Sequence, residues 1–299
     1  MSQNDEELYS MWCSKLDLAR YRLLAINRQE GSQEVRRIGI VIDEEVSLEK
    51  YLKFSESEPK ISVKCRLIGG KIEAYEIPID PHALLQAKLI FIACNWNDQF
   101  LAVLGELDII VGTRDIYRCD LCVRPINRPI PQGLRPVNSS GQPYPTLVVE
   151  IGDMESLKSL HNMVEGYFSA RTTIQLYLAI KIFPRHRDNT FALIAMLYRR
   201  TDPNNQNHNP TIPVIVKSFG TANIHISSQN YLLNTINIPA NIITGVGFGG
   251  VPCNAVNIQE YQMDIPTDLL FDGVNIPANT PANFNIDLFK LQNELARAI

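Results

Sequence analysis

The sequence predicts an α/β fold, and three observations carry that expectation. Short apolar runs of strand type alternate along the chain with segments whose apolar residues recur at helical spacing. One run, IQLYLAIKIF (174–183), is apolar almost throughout, as a strand covered on both faces must be. The length of 299 residues, 45% of them hydrophobic and 20% charged, suits one large domain with extensions or two modest ones.

Taken in order, the first stretch, MSQNDEELYSMWCSKLDLAR, is acidic and lacks the apolar centre of a secretory signal. No apolar run approaches the roughly 20 residues of a membrane span, so an intracellular chain with no membrane partner is expected. RRIGIVI (36–42) reads as a short strand, and VSLEKYLKF (46–54) as a helix with Val46, Leu48, Tyr51, Leu52 and Phe54 at helical spacing. SVKCRLI and KIEAYEIP form a strand pair around Gly69-Gly70, a hairpin turn dipeptide. Asp80 as cap and Pro81 in the first turn open a helix through HALLQAKLIFIACNWND. LDIIVGT (107–113) and DLCVRP (120–125) are two more strands, separated by a turn containing Arg114 and Asp115.

Prolines 129, 131, 136, 143 and 145 exclude regular structure from residues 125–145. LVVEIG (147–152) is the next strand. A helix capped by Ser156 comes after it, with Leu157, Leu160, Val164, Tyr167 and Phe168 on one face, and then the buried strand 174–183. FALIAMLYRR and IPVIVKSF bracket the polar loop TDPNNQNHNP as a long hairpin. Beyond Gly220 the chain is rich in Asn and Pro and closes in an amphipathic helix, IDLFKLQNELARAI, whose apolar face is a candidate surface for assembly. The organisation expected is an N-terminal extension (1–45), a core domain (46–220) and a C-terminal extension (221–299).

A net charge of −4 gives the whole molecule no basic footprint, so nucleic-acid contact would need a local positive surface. Arg124, Arg128 and Arg135 in the Pro-rich segment are candidates for phosphate contact, or for plain solvation. Cys119 and Cys122 form a CxxC without the second Cys or His pair that a structural zinc site needs, and most of the six cysteines sit among apolar neighbours as reduced thiols would. GVGFGG (245–250) fits GxGxxG in letters but leads into VPCN rather than a helix, so it is read as a turn.

The chemistry concentrates in two acids. Asp120 opens one strand and Glu150 stands near the end of the next; antiparallel pairing brings a residue opening one strand beside a residue closing the other. Two carboxylates sharing a site repel unless a cation lies between them, and Mg²⁺, with Mn²⁺ as substitute, takes such an all-oxygen pair. The plainer alternatives are a hydrogen bond from the Pro-rich loop to Asp120 and an ion pair of Glu150 with Arg118 or Arg171.

VSLEKYLKF, RLIGGKIEAYEIP, PHALLQAKL, CDLCVRP, PTLVVEIG and EGYFSARTTIQLYLAIK occur in the order seen in the putative restriction endonuclease family of the PD-(D/E)XK nuclease superfamily, which residues 46–220 resemble. The resemblance implies a restriction-endonuclease-like mixed central sheet flanked by helices. It also implies Mg²⁺-dependent hydrolysis of nucleic-acid phosphodiesters, DNA ahead of RNA, with Asp120 and Glu150 as catalytic metal ligands. His82 matches the family's helix-opening histidine, read here as a capping or packing residue. The superfamily lysine two residues after the glutamate is replaced by Gly152. In this family the lysine is usually moved onto the following helix, one turn before a tyrosine; with Tyr167 as that tyrosine, the position holds Met163. Lys158 lies roughly 7 Å earlier along the helix axis and is the candidate substitute. A site lacking its lysine leaves a second expectation open, a nuclease-like fold that binds nucleic acid or protein without turnover. Oligomeric state is not set by these residues; a homodimer is one arrangement they allow.

Overall fold

Strand pairing sorts the chain into two main sheets and a small hairpin. The computed structural model describes residues 3–28, 39–57, 61–130, 133, 136–138, 140–202 and 207–297. The larger sheet is built from β4 (Leu101–Gly105), β7 (Leu121–Pro125), β8 (Leu147–Gly152), β9 (Leu176–Ile182), β10 (Ala192–Arg199), β11 (Ile215–Gly220) and β12 (Ile243–Gly245). These seven strands lie in the order β12-β11-β10-β9-β8-β7-β4. β8 with β9 and β11 with β12 run parallel and the remaining neighbours antiparallel, so the sheet is mixed.

Helices cover both faces, and the alternation along each strand decides which residue meets which helix. Leu147, Val149 and Ile151 of β8 and Leu176, Leu178 and Ile180 of β9 share one core with α3 (Asp80–Cys94) and α7 (Leu288–Arg297). Val148, Tyr177 and Ala179 face the other way, against α4 (Leu157–Tyr167). α4 begins where the sequence suggests, because the Ser156 side chain accepts a hydrogen bond from the Ser159 N–H.

The second sheet contains β1 (Ile40–Asp43), β2 (Lys64–Ile68), β3 (Lys71–Glu76), β5 (Asp108–Ile110) and β6 (Ile116–Arg118). It is antiparallel, in the order β1-β3-β2-β6-β5. The β2–β3 hairpin turns on Gly69 and Gly70, both at positive φ (57° and 79°), the backbone that a two-residue turn of this kind requires. α1 (Gln3–Arg28) and α2 (Leu48–Glu56) bury Trp12, Leu16, Tyr51 and Phe54 in a core with this sheet.

Several expectations change in detail. Ile79, not Asp80, caps α3, and it does so without a side-chain hydrogen bond. β4 and β6 are strands where none was expected, and residues 107–113 yield only the three-residue β5. β5 and β7, expected as successive strands about one turn, belong to different sheets. β13 (Gln262–Pro266) and β14 (Asn283–Asp287) form the separate hairpin. The apolar face of the last helix is not open for assembly: Leu288, Leu291 and Leu295 lie in the core beside α3. Among the described residues no helix is long and apolar enough to cross a membrane. Residues 36–38 of the first expected strand lie outside the described residues.

Candidate functional site

β7 and β8 pair antiparallel with Leu121 opposite Val149, so one further step sets Asp120 opposite Glu150. The Asp120 N–H donates to the Val149 carbonyl at 3.2 Å, and Asp120 Oδ2 accepts from the Ile151 N–H at 2.6 Å. Asp120 therefore continues the ladder just before β7 begins and turns its carboxylate onto the β8 backbone beside Glu150. Neither acid meets water freely: each is 1% exposed.

The other side of the pocket is made by β2. Val63, Cys65 and Leu67 face the core under α1 and α2, while Lys64 and Arg66 project from the opposite face toward β8 and α4. The Lys64 ammonium, 4% exposed, lies against Asp120 Oδ1. On the same oxygen, from α3, stands His82 Nε2 at 3.1 Å. Burial first, and Lys64 second, hold the His82 imidazole down to about 3, so it is neutral at physiological pH. Glu150 Oε1 accepts a hydrogen bond from the Tyr167 hydroxyl at the end of α4. Burial pushes the Glu150 carboxyl up to about 8, a shift that Lys64 opposes and Glu155 reinforces.

Arg66 completes the enclosure. Its guanidinium donates to Glu155 Oε1 at 2.6 Å and to Ser159 Oγ at 2.8 Å, approaches Met163 Sδ at 3.4 Å, and lies 4.3 Å from the Tyr75 ring centre. Glu76, at the end of β3, accepts from the N–H groups of Asp153, Met154 and Glu155 at 2.8–3.1 Å, pinning the loop that leads into α4. Burial raises its carboxyl to about 8, with Asp153 adding to the effect.

Of the expected site residues, Asp120 and Glu150 are brought to one place and Lys158 is not: its side chain is exposed on α4, outside the buried cluster. The expected ion pair of Glu150 is absent, since Arg118 pairs instead with Asp108 at 2.8 Å and Arg171 is exposed. Among the described residues, none of the Pro-rich loop bonds the Asp120 carboxylate either. Arg124 donates to the Pro143 carbonyl and the Gln142 side chain, and Arg128 to the Tyr144 and Thr173 carbonyls and to Asp272, so both are used in holding loops. Arg135 lies outside the described residues. Gly152 has no room for a side chain: a Cβ there would stand 2.8 Å from Leu160 Cδ1 and 3.1 Å from the Glu155 carbonyl. Cys119 and Cys122 are buried free thiols, with Cys119 held well above the usual thiol range by burial and by its neighbour Cys122.

Lys64, Arg66, Glu76 and Glu155 did not stand out in the sequence. Lys181 carried a signal, a lysine inside a run read as buried on both faces; its Nζ donates to the Asp153 carbonyl at 2.6 Å.

A divalent cation needs open oxygens with water or phosphate completing its shell. Here Asp120 Oδ2 is bonded to a backbone N–H, Oδ1 faces an ammonium and an imidazole, and Glu150 Oε1 is bonded to a phenol. Among the described residues no three His, Cys, Asp or Glu side chains gather as a metal-binding group. The residues as arranged do not fit the ion.

No family model and no curated protein matches the chain. Among solved structures, the crystal structure of a "putative nuclease belonging to DUF820" from Anabaena variabilis ATCC 29413 is similar to it at 18% identity. The match covers 58% of this chain and 84% of that one, with a TM-score of 0.38. A likeness this distant says nothing of chemistry.

Proposed function

We propose that this chain is a nuclease-like protein that binds nucleic acid and does not turn it over. The observation that carries the absence of turnover is the enclosure of both acids, each 1% exposed, with the Lys64 ammonium already against Asp120; the nucleic-acid half of the reading rests on the family that residues 46–220 resemble. Metal-assisted phosphodiester hydrolysis needs a cation on those oxygens and a substrate phosphate beside it, whereas both acids are buried and one already faces an ammonium. The positions where the resembled family keeps its lysine support the same reading: Gly152 is packed against Leu160, and Met163 is in contact with Arg66. The test is incubation with labelled double- and single-stranded DNA and RNA in Mg²⁺ or Mn²⁺, comparing the wild type with Glu150→Gln, together with retention on the same nucleic acids in chelator. No cleavage by either protein and metal-independent retention are expected. Cleavage by the wild type that Glu150→Gln abolishes overturns the proposal.

One observation favours a second reading, a Mg²⁺-dependent endonuclease with Asp120 and Glu150 as ligands and Lys158 positioning water. It is the antiparallel register that sets the two acids across from each other. That reading requires the cluster to open and Lys158 to leave the solvent face of α4.

A further inference from the structure

We propose that α1 joins two copies of this chain as a parallel, two-stranded coiled coil, through the side of the helix turned away from its own core. The inference stands apart from the Asp120–Glu150 site and from what that site binds.

α1 (Gln3–Arg28) carries two apolar stripes. One is used within the chain: Tyr9, Trp12, Leu16, Ala19 and Leu23 are buried in the core shared with α2 and the five-stranded sheet. The other is left in water. Met11 is 39% exposed, Leu18 54% and Tyr21 67%, and Ser14 and Ala25 are exposed with them. These five residues alternate at spacings of three and four, which makes them the a and d positions of a heptad repeat. At about 100° per residue they fall within about 80° of one another, roughly 160° around the helix from the buried stripe. One stripe is enough to pack a helix on its own fold; a second, on the far side, buries nothing until another helix covers it. Ser14 does not spoil the seam, because its hydroxyl is already tied to the Ser10 carbonyl at 3.0 Å.

The flanking charges say which helix fits. Lys15 and Arg22 hold the e positions on one flank, and Ser10 and Asp17 the g positions on the other. Two parallel copies set each g residue beside the e residue five places further along the other helix. Asp17 then meets Arg22 of the second copy, and the two-fold axis makes that pair twice. Antiparallel copies set e beside e, which brings Lys15 and Arg22 together and repels. Lys15 Nζ is held by the Ile42 carbonyl at 3.1 Å, so Arg22 is the basic residue left to reach across. Asp17 accepts from Ser62 Oγ at 3.5 Å, too long a bond to hold it back. The seam from Met11 to Ala25 covers only about 21 Å of helix, so the dimer is a weak one that fills as concentration rises.

The test is sedimentation equilibrium of the full chain from micromolar to near-millimolar concentration. The wild type is expected to show a monomer–dimer equilibrium. Leu18→Glu is expected to raise the dimer dissociation constant at least about tenfold while melting as the wild type does in dilute solution, since Leu18 lies outside the core. Asp17→Arg and Arg22→Asp are each expected to weaken the dimer when alone, and an equal mixture of the two to restore it, because the opposite charges then face each other across the seam. A wild type that stays monomeric throughout overturns the inference, as does a dimer that Leu18→Glu leaves intact. Tighter association of Arg22→Asp alone, or a mixture that stays dissociated, overturns the parallel arrangement.

Discussion

Glu150 is the residue on which most of the site's energetics turn. Its carboxyl sits between a phenol that donates to it, an ammonium that favours its charged form and a burial that opposes that form, and burial wins, holding the proton to about pH 8. The unfolded chain releases that proton near the ordinary value of 4.5. Between these two values the native state binds more protons than the unfolded one, so stability falls as pH rises from about 4.5 to 8 and levels off above it. Glu76 acts in the same direction and window. His82 acts in the opposite sense: its folded value near 3 lies below the ordinary 6.5, so its contribution is lost as pH falls below 6.5. Glu150→Gln keeps an acceptor for Tyr167 and removes one titration. Urea midpoints measured from pH 5 to 9 should show a shallower decline in this variant, by on the order of 1 kcal/mol per pH unit at most. An unchanged slope would mean that Glu150 is ionised throughout. Asp120 and Glu150 were legible in the sequence because one opens an apolar strand run and the other stands near the end of the next. Lys64 and Arg66 were not, because alternating polar positions in an antiparallel hairpin read as a solvent face, and only the contacts of β2 with Glu155 and α4 make that face an interior one.

At the scale of elements, α4 is the piece that closes the site, and one glycine governs how it does so. Gly166 stands in the last turn of the helix, where glycine is ordinarily less favourable than alanine by about 1 kcal/mol. A Cβ at Gly166 would lie 2.4 Å from Cε2 of Tyr117, whose ring packs edge-on to Tyr167 at 5.3 Å. Gly166→Ala is therefore expected to invert the usual sign and to destabilise by about 1–3 kcal/mol, the cost of overpacking, because the Tyr117 ring must move away from the tyrosine that holds Glu150. Chemical denaturation of the variant checks it, and a gain in stability would show that Tyr117 yields freely. α4 itself was readable from Ser156 and its apolar spacing, as were α2 from the helical spacing of Leu48, Tyr51, Leu52 and Phe54 and the hairpin from Gly69-Gly70. β4 and β6 were not. β6 has only three residues, and the burial of β4 shows no alternation for a periodicity to reveal. The division of β5, β6 and β7 between two sheets depends on pairings far apart in sequence, which local patterns do not record.

For the molecule as a whole, the open matter is how far residues 46–220 depend on residues 221–299. Composition set the latter apart, since that stretch is rich in Asn and Pro and its apolar runs are short. In the fold those short runs fill the main core. β12 extends the seven-stranded sheet through Val216 and Ile243, and Met263, Phe271, Phe284, Leu288 and Leu291 share a cluster with the inner residues of β8, β9 and β10. Polar ties reinforce the union. Thr146 donates to the Leu270 carbonyl at 2.7 Å, Arg128 reaches Asp272, and Gln292 accepts from the Gly220 N–H while donating to the Cys253 carbonyl. Burying five such side chains contributes about 1.5–3 kcal/mol each. Their sum matches the roughly 5–15 kcal/mol by which a whole domain is stable. A chain ended after Gly220 also exposes one face of the sheet that α7 now covers. That fragment is expected to be insoluble, or to give a non-cooperative thermal transition, whereas the full chain melts cooperatively; circular dichroism on the two proteins decides it. A fragment that melts as sharply as the full chain would make residues 221–299 an appendage, and would require the core under α3 to close without Leu288 and Leu291.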